Sequence, residues 1–152
     1  MTQTKVNARD IIFEVAEADG TTWHRVEHLK SVVRNPSENE AVAETTDYDS
    51  EGAYEEEVMQ RGSSLTITGD EMEDDTTGVA PVGRARIEAL AGEDALGSDS
   101  LGKVRFRSPR SSQWNVWTCT VRLSENGGET NVKRSWGATV RKCGKTVKVA
   151  VS

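Results

Sequence analysis

Twenty-five consecutive residues, Asn35 to Met59, carry nine acidic side chains (Glu38, Glu40, Glu44, Asp47, Asp49, Glu51, Glu55, Glu56, Glu57) and no lysine or arginine. A stretch of this kind cannot bury enough apolar surface to order itself, so any core must be built from what flanks it. We read residues 35–61 as a projecting acidic loop or arm within one domain spanning residues 1–152. Unpartnered loops beyond about 12–15 residues are uncommon in compact domains unless they are functional or disordered. A disordered, solubilising loop is the plain alternative. Docking is favoured because the only two tyrosines, Tyr48 and Tyr54, fall in this stretch, which nominates Glu44, Asp47, Tyr48, Asp49, Tyr54 and Glu55 as an inter-subunit surface.

The charge of the rest divides with equal sharpness. Residues 1–100 hold 8 basic and 23 acidic side chains (8 − 23 = −15), and residues 101–152 hold 11 basic and 2 acidic ones (11 − 2 = +9), which together give the net −6. A nucleic-acid binder of this size is usually basic overall. A chain with two opposite poles is better suited to binding copies of itself head to tail. At 152 residues a compact fold buries roughly 68–70% of the unfolded surface, enough for a core without disulfide or metal staples. No apolar run reaches the roughly 20 residues needed to span a bilayer, and the N-terminus lacks a signal peptide's apolar stretch, so a soluble protein made and kept in a cytoplasm is expected.

Alternation of apolar and polar residues assigns most of the chain to strands. Asp10 to Ala16 ends on the turn signal Asp19-Gly20; Thr21 to Val33 is read as one strand, ended by Asn35-Pro36. Further strands are expected at Ser64–Gly69, Val104–Arg107, Gln113–Leu123, Val132–Lys142 and Lys145–Val151. The one helix is placed at Val79–Ala91, started by Thr76, Thr77, Gly78 and Pro81, with Val82, Ile87, Leu90 and Ala91 on its apolar face. The resulting class is mainly β: a β-sandwich or open barrel of antiparallel strands, with one flanking α-helix and a long acidic loop.

Candidate chemistry is sparse. His24-Arg25-Val26-Glu27-His28 matches H-x-x-E-H, in which two helical histidines hold zinc; on a strand the match has no such meaning, and the two rings are expected on one exposed face. Asp70, Glu71, Glu73, Asp74 and Asp75 form an acidic loop that lacks calcium-loop spacing and is read as solvated and favourable to the following helix dipole, or as part of an acidic lumen. Cys119 and Cys143 are expected as free thiols buried on strands. With no nucleophile motif and no phosphate loop, neither enzymatic activity nor a cofactor is expected. Four tryptophans (Trp23, Trp114, Trp117, Trp136) interleave with cations, an arrangement that suits either a single-strand stacking surface or, preferred here, core and subunit contacts. Arg105, Arg107, Arg122, Lys133 and Arg134 are the candidate basic partner surface.

The order of these features resembles the major tail tube proteins of long-tailed, non-contractile bacteriophages. The residues that carry the likeness are Trp23 and Val26, then Glu44 to Gly52 (ETTDYDSEG), then Gly62 followed by Ser63 to Gly69 (SSLTITG), and Asp75-Thr76 before the helix. The resemblance implies a structural virion subunit that forms hexameric rings stacked into a hollow tube, assembled in the host cytoplasm. It also implies a long loop reaching neighbouring subunits or rings, an acidic channel through which DNA passes without specific binding, and partners in a tape-measure protein and in terminator or baseplate proteins. A virion decoration or receptor-recognition protein, or a single-strand binder, is the alternative from another class.

Overall fold

The computed structural model describes residues 1–152. Its strands are β1 (Ile12–Ala16), β2 (Trp23–Arg25), β3 (Leu29–Asn35), β4 (Ala41–Glu44), β5 (Glu56–Gln60), β6 (Ser64–Asp70), β7 (Gly102–Arg107), β8 (Gln113–Leu123), β9 (Ser135–Lys142) and β10 (Val147–Ala150); the one helix is α1 (Val82–Leu90). The main sheet runs β2-β1-β7-β8-β9-β6-β3 with β10 beside β8, while β4 and β5 pair only with each other. Every ladder is antiparallel. The fold is mainly β with one helix, as the alternation predicts.

The long strand β8 organises the sheet. Asn115 and Val116 pair with both β7 and β10, and Cys119 pairs with both β7 and β9, so β7 lies on one edge of β8 and β10 and β9 share the other. The path begins at β2 and ends at β3, yet only Val26, Glu27 and His28 separate those strands in the chain. The four Cα–Cα steps from Arg25 to Leu29 reach at most roughly 14 Å, so the sheet must coil until its two ends come close. The ends do not hydrogen-bond to each other, and the barrel stays open.

Inside the coil sit Phe13 and Val15 from β1, Val104 and Phe106 from β7, Trp117 and Cys119 from β8, Ala138 and Val140 from β9, and Leu65 and Ile67 from β6. Each pair is two apart, the period of one face of a strand. Phe106 and Trp117 meet edge to face, with ring centroids 5.1 Å apart. Burying each large apolar side chain contributes about 1.5–3 kcal/mol before entropy is charged against it. Helix α1 closes one side through Gly83, Ile87 and Leu90, at the i, i+4, i+7 spacing of a single helical stripe.

Five expectations are corrected. The stretch 21–33 is two strands, because His28 takes the left-handed conformation (φ 60°) and turns the chain between β2 and β3. The helix starts at Val82 after Pro81, with no side-chain cap. Thr76 and Thr77 instead donate their backbone N–H groups to Asp74 Oδ1, both at 2.9 Å, so the acidic loop forms its own turn well before the helix and puts no carboxylate in the helix's first turn. Val82 is exposed, and Gly83 holds the packed position: a Cβ there would lie 2.4 Å from the Arg25 carbonyl oxygen. Finally, residues 35–61 are not all loop, for β4 and β5 make a hairpin within them.

Candidate functional site

The β4–β5 hairpin continues the β3–β6 pair outward. Asn35 pairs with Ser64 at the end of that ladder, and the next ladder begins at Ala41 and Gln60. The junction is stapled by Asn39 N–H to the Gly62 carbonyl (3.3 Å), by Gln60 Nε2 to the Asn39 carbonyl (2.8 Å), by the Ser64 hydroxyl to Glu38, and by Arg61 with Glu40 (3.6 Å). At the tip, Asp47 accepts from Asp49 N–H (3.0 Å) while Ser50 Oγ accepts from Asp47 N–H (3.1 Å), and Glu51 and Gly52 take positive φ to reverse the chain. Thr46 and Glu55 close the neck with reciprocal hydroxyl–backbone bonds. These local side-chain bonds explain how so polar a segment adopts a defined shape.

Of the nine carboxylates in this stretch, only Glu40 has an ion-pair partner. Glu44 stands directly across from Glu56, a like-charge pairing that disfavours the ladder. Tyr54 donates to Glu56 (3.0 Å), and that bond to a carboxylate pushes the phenol's pKa above its ordinary value. Tyr48 and Tyr54 are exposed, as are Val42, Val58 and Met59. The residues nominated from the sequence (Glu44, Asp47, Tyr48, Asp49, Tyr54, Glu55) thus all lie on one hairpin and its tip.

The five nominated cations do not form one surface. Arg105 donates to Glu14 Oε1 (Nε at 2.8 Å, Nη2 at 2.5 Å), its neighbour across the β1–β7 ladder. Its guanidinium carbon lies 4.4 Å from the Trp23 ring centroid and 4.1 Å from that of Trp114, and Arg107 covers Trp114 at 4.7 Å. The result is an alternating stack, Trp23, Arg105, Trp114, Arg107, on the outer face of the sheet. Arg134 binds Glu71 (2.7 Å) and approaches Glu73 (3.7 Å), while Glu71 also meets Arg84 of the helix (3.5 Å). Two residues read as acidic lumen and one read as basic partner surface are therefore each other's partners. Asp70 pairs with Lys30 (3.2 Å). The backbone N–H groups of Thr77 and Thr76 hold the Asp74 carboxyl below its ordinary pKa, and Asp75 accepts from the Thr76 hydroxyl. Only Arg122 and Lys133 of the five are exposed with no partner in the chain.

A second cationic surface was not singled out by sequence. Arg61 at the base of the hairpin, Lys142 at the end of β9 and Lys145 in the β9–β10 turn line a groove of about 380 Å³ together with Val58 and Met59. Lys142 and Lys145 are 81 and 84 positions from Arg61 at the hairpin base in sequence, so proximity to it had no local signal. His24 lies on β2, with Nε2 2.6 Å from Glu17, whereas His28 forms the break itself and lies beside Glu27 at 3.9 Å. They do not share one strand face, and no three His, Cys, Asp or Glu side chains converge as metal ligands would. Both cysteines are free; burial pushes the Cys119 thiol up to about 12, whereas Cys143 lies beyond β9 and is only partly buried.

No family model and no curated protein matches the sequence. Solved structures do. A chain from the tail of an empty gene transfer agent particle, refined helically with C6 symmetry, is similar over 96% of this chain and 100% of its own, with TM-score 0.67 and 16% identity. A chain from the virion of the native gene transfer agent particle gives TM-score 0.61 at 16% identity over 96% and 100%. A chain of the anti-feeding prophage baseplate, 6-fold symmetrised, gives 0.60 at 8% identity over 99% of each. The protein shares its fold with components of phage-like tail particles. No helix in it is long and apolar enough to cross a membrane.

Proposed function

We propose that this chain is a structural, non-enzymatic subunit of a phage tail tube. Six copies close into a ring, and rings stack into a hollow conduit through which DNA leaves the capsid; the tube is built in the host cytoplasm around a tape-measure protein and bounded by terminator and baseplate proteins. The observation that carries this reading is the likeness over 96% of the chain to a component of a C6-symmetric tail. The hairpin supports it: eight of the nine carboxylates in residues 35–59 lack an ion pair (9 − 1 = 8) and so remain available to a partner. Repulsion between such carboxylates and phosphate lets DNA pass without the multi-site attachment that lysines and arginines would create. A single-strand stacking role has less to work with, since the faces of Trp23 and Trp114 are already covered by Arg105 and Arg107.

Negative-stain microscopy and light scattering on the purified full chain, alone and with tail components, test the proposal. Rings or tubes of uniform diameter are expected. A chain that stays monomeric at high concentration in both settings overturns it.

A further inference from the structure

We infer that the groove between the hairpin base and the β9–β10 turn receives the hairpin tip of a second copy of this chain. The inference rests on the assembly proposed above and names the two surfaces that meet. The groove gathers three cations, Arg61, Lys142 and Lys145, beside the apolar Val58 and Met59, of which Met59 is 67% exposed. Lys145 has no ion-pair or hydrogen-bond partner, Lys142 has no ion pair and donates only to the Thr146 hydroxyl (3.2 Å), and Arg61 pairs only with Glu40.

The tip is the complement of that groove. It presents the fully exposed Tyr48 between Asp47 and Asp49, with Glu51 following, and none of these carboxylates has a cationic partner. An aromatic side chain flanked by carboxylates fits an apolar floor flanked by ammonium and guanidinium groups, where the flexible thioether of Met59 adapts to an aromatic ring. The tip cannot fill its own groove. Four residues of β4 hold it roughly 14 Å from the base, at about 3.4 Å of rise per residue, and the groove lies at that base. Tip and groove are different patches of one molecule, so the contact is heterologous: each copy gives its tip to one neighbour and takes a tip from another, which closes a ring or extends a filament.

Exposed residues make the test clean. Lys145→Glu and Asp49→Lys are chosen because neither side chain bonds within the chain, whereas Lys142 lies over Trp117 at 5.5 Å and contributes to the fold. Each single reversal is expected to raise the concentration at which assemblies first appear by about tenfold, a change set by one charge pair turned from attraction to repulsion, with the thermal unfolding curve unchanged. The double variant is expected to restore assembly. Normal assembly by both single variants, or no rescue in the double, overturns the groove while leaving the tube reading standing. Failure of the wild-type chain to assemble removes both. A fluorescent oligonucleotide tests the competing occupant: salt-sensitive binding by wild type that is lost in Lys145→Glu assigns the groove to nucleic acid and overturns the inference.

Discussion

The Trp–Arg face of the main sheet and the β4–β5 hairpin are both rich in charge, yet they use it in opposite ways. On the sheet, Arg105 is held between two indoles and against Glu14, with side-chain exposures of 21% for Arg105 and 16% for Glu14. On the hairpin, Glu44, Asp47, Asp49, Glu51, Glu55, Glu56 and Glu57 face water without a cation. A half-buried charge must be paired within the molecule, because leaving it alone costs its desolvation. An exposed one is under no such demand and remains available to a partner. Charge alone therefore does not mark an interface; burial decides which charges belong to the fold and which to assembly.

Arg105→Ala strikes this distinction hardest. It leaves the Glu14 carboxylate unpaired and separates Trp23 from Trp114, so a loss of about 3 kcal/mol of stability is expected, read from urea unfolding of the full chain. A loss below a few tenths would place Arg105 with the free charges instead. Gly83→Ala sharpens the same side of the comparison. Intrinsic propensity favours Ala in a helix by about 1 kcal/mol, but the added carbon meets the Arg25 carbonyl at 2.4 Å, forcing α1 away from β2. A net destabilisation of about 1–3 kcal/mol is expected; a rise in melting temperature would show that the helix has room to move. Smallest is Glu44→Gln on the hairpin, which relieves the repulsion opposite Glu56 and should shift stability by no more than about 0.5 kcal/mol, in the stabilising direction. A clear destabilisation there would mean that Glu44 has a role within the monomer.

Much of this was readable along the chain. Strands at 113–123 and 64–69 follow from alternation, and the helix from its apolar stripe and Pro81. A sharper signal in β8 was also present: Trp114 and Trp117 are three apart, and a period of two must send them to opposite faces. Trp117 accordingly lies in the core, while Trp114 lies under the arginines outside. The break at His28 had no such signal, since nothing in its residue type demands positive φ. It follows from the closure of the sheet, where β3 must leave β2 to reach β6. The hairpin was hidden by composition, because acidity argues for disorder whereas short-range bonds at Asp47, Ser50, Thr46 and Glu55 give it shape.

The division of −15 and +9 between residues 1–100 and 101–152 is a property of sequence alone, as are the antiparallel strand content and the two-pole character, since alternation and charge are local counts. Which charges cancel was decided only in three dimensions. Glu14 and Arg105 are 91 positions apart, and Glu71 meets Arg134 across the start of β9. Strand register sets these pairs, and register is fixed by the burial of a whole sheet face rather than by any residue within reach along the chain.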